Sequence, residues 1–232
     1  MEKRVFCFWT GDNPMSDTRK RSLENMNKVL EADIELITPD NLSKWEVPEF
    51  EIPDAYWDLS LNHRSDYLRW YFMYHYGGGY ADIKEYTQSW SGYFDRFDQN
   101  EYLMAVGTRE NPDGSGVYEF DLRPYAGDFI STGWFIMRDH TILTEMMYIK
   151  ANCILESFKD EIKKHPPTMF RDGFGRRTPD GTPSEYPIRW GKLGGSILHT
   201  SLWDLKRLST LVDYGSLINH DLPGWNFNQD YL

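Results

Sequence analysis

The chain has 232 residues, 40% of them hydrophobic and 26% charged, with a formal net charge of −11. That balance suits one globular domain with a sizeable core and argues against the large basic footprint that long nucleic acid or anionic lipid requires. No run approaches the ~20 apolar residues of a membrane span, and two distant cysteines, Cys7 and Cys153, provide neither a disulfide framework nor metal-ligand spacing, so a reduced, cytoplasmic protein is expected.

Val5 to Trp9 is a short apolar run closed by Thr10-Gly11-Asp12-Asn13-Pro14, which reads as a buried strand and a loop. Ser16 or Asp17 then caps a helix carrying Leu23, Met26, Val29 and Leu30, and Ile34 to Ile37 is a second strand. Strand, helix, strand in this order predicts a parallel sheet with helices on its faces. Pro39 to Trp45 reads as a short helix, and Pro48 and Pro53 break the next stretch into loop. Further on come a strand signal at Tyr102 to Val106, a Gly-, Pro- and Asp-rich loop over 109–128, and a strand at Phe129 to Met137. A helix over Thr141 to Phe158, a Pro-rich loop over 165–192 and a helix over Leu198 to Leu208 complete the series. The tail from Asn219 reads as irregular. Asp128, just before a strand, is a candidate acceptor-site acid, and His199 with Gly194-Gly195 reads chiefly as a helix start.

The most informative stretch is His63 to Tyr86. Its first part has helical spacing, with Leu68, Tyr71, Phe72 and His75 on one face and Asp66 beside Arg69 on another. Gly77-Gly78-Gly79 ends the helix, because glycine takes positive φ without steric cost. Tyr80 to Ile83 then forms a short strand that delivers Asp82 at its C-terminal end, where ligands bind in open α/β sheets. A carboxylate there can hold a hard cation against a diphosphate. Taken alone, Asp66 with Arg69 is an ordinary solvated helix pair; the neighbouring Gly-Gly-Gly-Tyr-Ala-Asp sets it apart.

Ser65-Asp66, Arg69, Tyr76-Gly77-Gly78 and the Tyr80-Ala81-Asp82 strand resemble the central motif of the family 32 glycosyltransferases. Phe8-Trp9-Thr10-Gly11 with Asn13-Pro14 is similar to that family's first strand and base-facing loop, and His220 with Gly224-Trp225 resembles a loop that closes over the diphosphate. The resemblance implies an α/β fold of GT-A type, with a Rossmann-like, mostly parallel sheet flanked by helices. It implies one transferase domain over 1–232, with a nucleotide-sugar half at about 1–108 and an acceptor half with the closing loop at about 109–232. The donor would be a UDP- or GDP-sugar, transferred with retention. Phe8, Trp9, Thr10 and Gly11 would lie at the base, Ser65, Asp66 and Arg69 at the ribose and sugar, and Tyr80, Ala81 and Asp82 beyond them, with Trp225 in a mobile lid from His220 to Asn228. Truncation before Asn219 would then remove activity and leave the thermal midpoint little changed.

By the same resemblance Asp82, with His220, would hold a divalent metal, Mn or Mg. The departure is Lys84, which stands where the family's second acid would be and can neutralise a phosphate directly. Asp66, Arg69, Asp82 and Lys84 are therefore the candidate catalytic set. A non-catalytic sugar-nucleotide or carbohydrate binder on a transferase fold is the alternative, and a nucleotidyltransferase the third reading; the latter wants more clustered acids than Asp82 alone. A saccharide, a protein, a lipid-linked sugar and a modified nucleic-acid base all remain open as acceptor.

Overall fold

The computed structural model describes residues 1–209 and 213–225. Its centre is a six-stranded sheet in the order β2-β1-β3-β5-β4-β6. The strands are β1 (Arg4–Phe8), β2 (Asp33–Ile37), β3 (Gly78–Ala81), β4 (Ala105–Arg109), β5 (Ile130–Met137) and β6 (Ile218–Asn219). Only β5 runs antiparallel to its neighbours, β3 and β4, so the sheet is mixed but mostly parallel.

Strand alternation sorts the core into two layers. Phe6, Phe8, Phe135 and Met137 point to the face covered by α2 (Leu61–His75), α4 (Ile142–Lys164) and α5 (Gly195–Leu208). Val5, Cys7, Trp134 and Ile136 point to the other face, under α1 (Asp17–Val29) and α3 (Ser91–Gln99). A sixth helix, α6 (Tyr214–Leu217), leads into β6. Two of the helix starts have a clear local cause: Ser16 caps α1 by accepting from Arg19 N, and Thr141 with Thr144 forms a reciprocal cap on α4.

Helix α2 is buried along most of its length, including Tyr67, Leu68, Trp70, Tyr71, Phe72 and Met73. It stops where Gly77 takes φ +60° and Gly78 φ +86°. A Cβ on Gly78 would stand 2.8 Å from the Arg4 carbonyl oxygen, so glycine serves here both the turn and the close approach to β1. The strand expected at Tyr80 to Ile83 therefore begins earlier, at Gly78, and ends at Ala81, with Asp82 just beyond it.

Other boundaries differ from expectation for physical reasons. The strand expected at Tyr102 to Val106 runs instead over Ala105–Arg109, because Tyr102 is exposed in a turn held by Asn100 while polar Thr108 and Arg109 continue the pairing. Helix α3 has no counterpart among the expected elements; Phe94 and Phe97, one turn apart, are its buried anchors. Helix α4 continues past Phe158 to Lys164, and α5 begins at Gly195 rather than Leu198. Part of the 109–128 loop, Phe120–Asp128, is 3-10 helix.

The described tail, up to residue 225, is largely irregular as expected, but it is tied to the sheet. Ile218–Asn219 adds a strand to β4, Asp221 bridges to Thr108, and Trp225 bridges to Tyr86. Leu222 and Trp225 are buried, and Trp225 meets Trp134 edge to face at 6.3 Å. Residues 220–225 of the expected mobile loop thus pack against the body of the domain; its positions 226–228 lie outside the described residues. Truncation before Asn219 removes two large apolar side chains from the core, and is expected to lower the thermal midpoint by about 10 °C or more, from a loss of about 4 kcal/mol. Differential scanning calorimetry checks it; a midpoint unchanged from the full chain would restore the lid.

Candidate active site

A cavity of about 990 Å³ opens at one end of the sheet. Its floor is made by residues that follow or finish the parallel strands: Phe8 and Trp9 at β1, Tyr80 to Lys84 at β3, and Thr108 to Asn111 at β4. The first residues of β5, Ser131 to Trp134, lie between the last two groups. Helix α2 supplies Asn62, Ser65, Asp66 and Arg69 from one side. The 165–192 segment roofs it with Arg171 and Trp190. That roof is tied to α2, where buried His63 meets the Trp190 carbonyl at 3.0 Å and stacks on Tyr186, and Trp70 Nε1 donates to the Leu193 carbonyl at 2.5 Å.

Arg69 is the hub. Its guanidinium lies 3.1 Å from Asp66 and 3.6 Å from Asp82, donates to the Thr132 carbonyl at 3.0 Å, and sits 4.4 Å over the Tyr80 ring. Tyr80 in turn donates its hydroxyl to Asp82 Oδ1 at 2.6 Å. Burial opposes the Arg69 charge, but Tyr80 and the two carboxylates outweigh it and raise its pKa. Burial raises the Tyr80 phenol well above its ordinary value. Burial also raises Asp66, opposed by Arg69 and His63 and reinforced by Asp82. Gly194 faces the Asp66 carboxylate so closely that a Cβ there would lie 3.1 Å from it.

Lys84 is buried, with its ammonium 4.6 Å from the Trp225 ring. Burial lowers its pKa, Arg19 and Arg171 lower it further, and Asp82 opposes them. Arg19 Nη1 donates to the Ile83 carbonyl at 2.5 Å, so its guanidinium lies against the same turn. Arg19, Arg69, Lys84, Arg109, Arg123 and Arg171 line the cavity against three carboxylates, Asp66, Asp82 and Glu110. In a chain of net charge −11, the described wall of this cavity is cationic.

The expected residues fall into two groups. Phe8, Trp9, Ser65, Asp66, Arg69, Tyr80, Ala81, Asp82, Lys84 and Trp225 all line the cavity. Thr10 and Gly11 do not; Thr10 is buried and its hydroxyl donates to the Leu61 carbonyl at 2.7 Å, which pins the β1 loop to the start of α2. His220 does not line it either; its Nε2 donates to the Asp128 carbonyl at 3.1 Å, and burial lowers its pKa. Asp128 pairs with Lys206 at 2.6 Å, away from the cavity lining. The structure therefore does not bring Asp82 and His220 into one cavity wall. Among the described residues no three His, Cys, Asp or Glu side chains gather as metal ligands.

Several lining residues carried no sequence signal. Arg19 hides among the charges of α1, and Arg171, Tyr118 and Trp190 lie in loops without periodicity. Glu110, just past β4, mirrors Asp82 just past β3 across the start of β5. Its Oε1 lies 3.7 Å from Nε2 of fully buried His199, which stacks on Phe129.

No protein-family model and no curated protein sequence matches the chain. Among solved structures it is similar to the PaToxG glycosyltransferase, with a TM-score of 0.51 and 11% identity, over 88% of this chain and 69% of that one. At that identity the likeness shows the fold, a mixed α/β sheet of the GT-A glycosyltransferase type.

Asp66 gives this site a stability signature. Its folded pKa lies above the ordinary 3.8, so the folded chain keeps the proton to higher pH than the unfolded chain. Stability is therefore lost as pH rises from about 4 through the raised value, where the buried carboxylate ionises. Asp66→Asn, which carries no charge, is expected to melt at or above wild type at pH 7, with the difference shrinking towards pH 4. Thermal melts of both proteins across that range check it; a variant that melts well below wild type at pH 7 would show that the Asp66–Arg69 pair is a net stabiliser.

Proposed function

We propose that the chain is a glycosyltransferase that moves a sugar from a nucleoside-diphosphate sugar, UDP- or GDP-linked, to an acceptor. The observation that carries the reading is the Arg69 hub: two carboxylates from separate elements held by one guanidinium, at the C-terminal ends of parallel strands, in a cavity with a cationic wall. Similarity to the fold of a glycosyltransferase supports it.

In this reading the donor lies across the ends of β1 and β3. Trp9 flanks the base, held by its own Nε1 donating to the Asn13 carbonyl at 2.7 Å. Asp66 and Asp82 accept hydrogen bonds from ribose and sugar hydroxyls, and Arg69 keeps both carboxylates aimed. The reaction breaks the bond from the anomeric carbon to the diphosphate oxygen, and negative charge develops on the leaving group. Stabilising that charge is the main electrostatic task, and Lys84 is the residue proposed for it. The acceptor enters under the roof formed by 165–192, near Glu110 and Tyr118; its hydroxyl oxygen bonds to the anomeric carbon while its proton passes to the departing diphosphate oxygen. Retention of configuration rests on the family resemblance. A saccharide, protein, lipid-linked sugar or modified base each supplies such a hydroxyl or amine. The acid balance of the chain disfavours long nucleic acid.

The test is incubation with a panel of UDP- and GDP-sugars while nucleoside diphosphate is followed. Slow release by hydrolysis is expected with at least one donor. Asp82→Asn and Asp66→Ala are each expected to lower the rate about a hundredfold or more, the cost of losing a positioned charge contact of about 3 kcal/mol. Donor binding without release would favour the non-catalytic binder, and near-normal rates in both variants would remove the hub from the chemistry.

A further inference from the structure

The family that the sequence resembles sets a divalent cation, held by acids, against the donor diphosphate. The described residues of this cavity do not fit one. A Mn or Mg ion on a diphosphate wants anionic oxygen ligands from the protein. Asp82 is the acid at the expected place, and its Oδ1 is already engaged by the Tyr80 hydroxyl and lies 3.6 Å from Arg69. His220 lies outside the cavity lining on the Asp128 carbonyl, position 84 is lysine, and no ligand trio gathers among the described residues.

What the wall does hold is positive charge from three separate parts of the chain. Arg19 comes from the first turn of α1 and is pinned to the Ile83 carbonyl. Lys84 follows β3 and lies over Trp225. Arg171 comes from the roof, beside Phe170, whose carbonyl accepts from Asn62 N at the start of α2. All three line the one cavity. Like charges gathered along one concave wall focus the field there and draw in an anion. Two of the three side chains are arginines, whose planar donors match phosphate oxygens.

We infer that Arg19, Lys84 and Arg171 form a diphosphate-binding site that works without a divalent metal. This rests on the reading of the cavity as a donor site, but it concerns the anion and not the sugar. The three cations take the phosphate oxygens that a metal and its acids would otherwise share. Lys84 is buried beside Trp225 and faces the same cavity as the two arginines.

The experiment is calorimetric titration with inorganic pyrophosphate, UDP and GDP, in EDTA and again with Mn. Pyrophosphate and at least one nucleotide are expected to bind in EDTA, with Mn changing affinity less than about threefold, whereas removal of one charged phosphate contact weakens binding about tenfold. Lys84→Met, Arg19→Ala and Arg171→Ala are each expected to show that tenfold loss. Because Lys84 is buried, its variant is paired with Arg171→Ala on the roof, and the unliganded melting of each is recorded. Binding that appears only with Mn overturns the inference, as does no binding of pyrophosphate at all, or binding in EDTA that Arg171→Ala leaves unchanged. Metal-free pyrophosphate binding without turnover of any sugar nucleotide would sustain this site and remove the proposed function instead.

Discussion

The guanidinium of Arg69 is the contact on which the site depends. It joins a helix to two strands: Asp66 on α2, Asp82 after β3, and the Thr132 carbonyl on β5. Without it, two carboxylates would share the cavity wall with no cation between them. Burying an ion pair of this kind contributes little net stability, since desolvation offsets most of the attraction. Its consequence is orientation: each carboxylate keeps a fixed direction while leaving acceptor capacity towards the cavity. Tyr80 adds to this, because its ring lies under the guanidinium and its hydroxyl fixes one oxygen of Asp82.

Around the hub, the fold separates charge from bulk. The chain is acidic as a whole, yet the described cavity wall carries six cationic side chains against three carboxylates. The large aromatic content is mostly structural. Trp70 stacks on Phe135 at 5.8 Å, and Trp90 and Tyr86 pack edge to face at 5.3 Å, all of them buried. Trp190 is different: it is 39% exposed at the cavity, with Arg176 4.2 Å over its ring. Trp225 does both, closing the second apolar layer of the sheet and lying under Lys84 at the cavity. Leu222 and Trp225 of the tail thus belong to the core that shapes the site.

The roof shows how a proline-rich segment with little regular structure acquires a fixed place. His63 and Trp70, both buried on α2, reach carbonyls of Trp190 and Leu193. Asp172 is buried too and accepts from the backbone of Thr168 and Gly173. Polar side chains on a buried helix thereby satisfy loop carbonyls that would otherwise lack partners. Those same polar residues explain why α2 looks less amphipathic than an ordinary surface helix.

What the sequence determined by itself is local. The apolar run of β1, the Ser16 start of α1, the stop of α2 at Gly77 and the placing of Asp82 just past β3 all follow from short-range rules of periodicity, capping and glycine conformation. That Trp9, Asp66, Arg69, Asp82 and Lys84 share one site follows from the family resemblance and not from these local rules, and the folded chain lines one cavity with all five. Only the tertiary structure decided that β5 inserts antiparallel between β3 and β4, which sets Glu110 opposite Asp82. It alone brought Arg19 and Arg171 to Lys84, sent His220 to the Asp128 carbonyl, made Ile218–Asn219 an edge strand and buried Trp225. Polar wall residues have no periodicity to read, and strand partners separated by tens of residues are chosen by the burial of whole faces, which no local window of sequence contains.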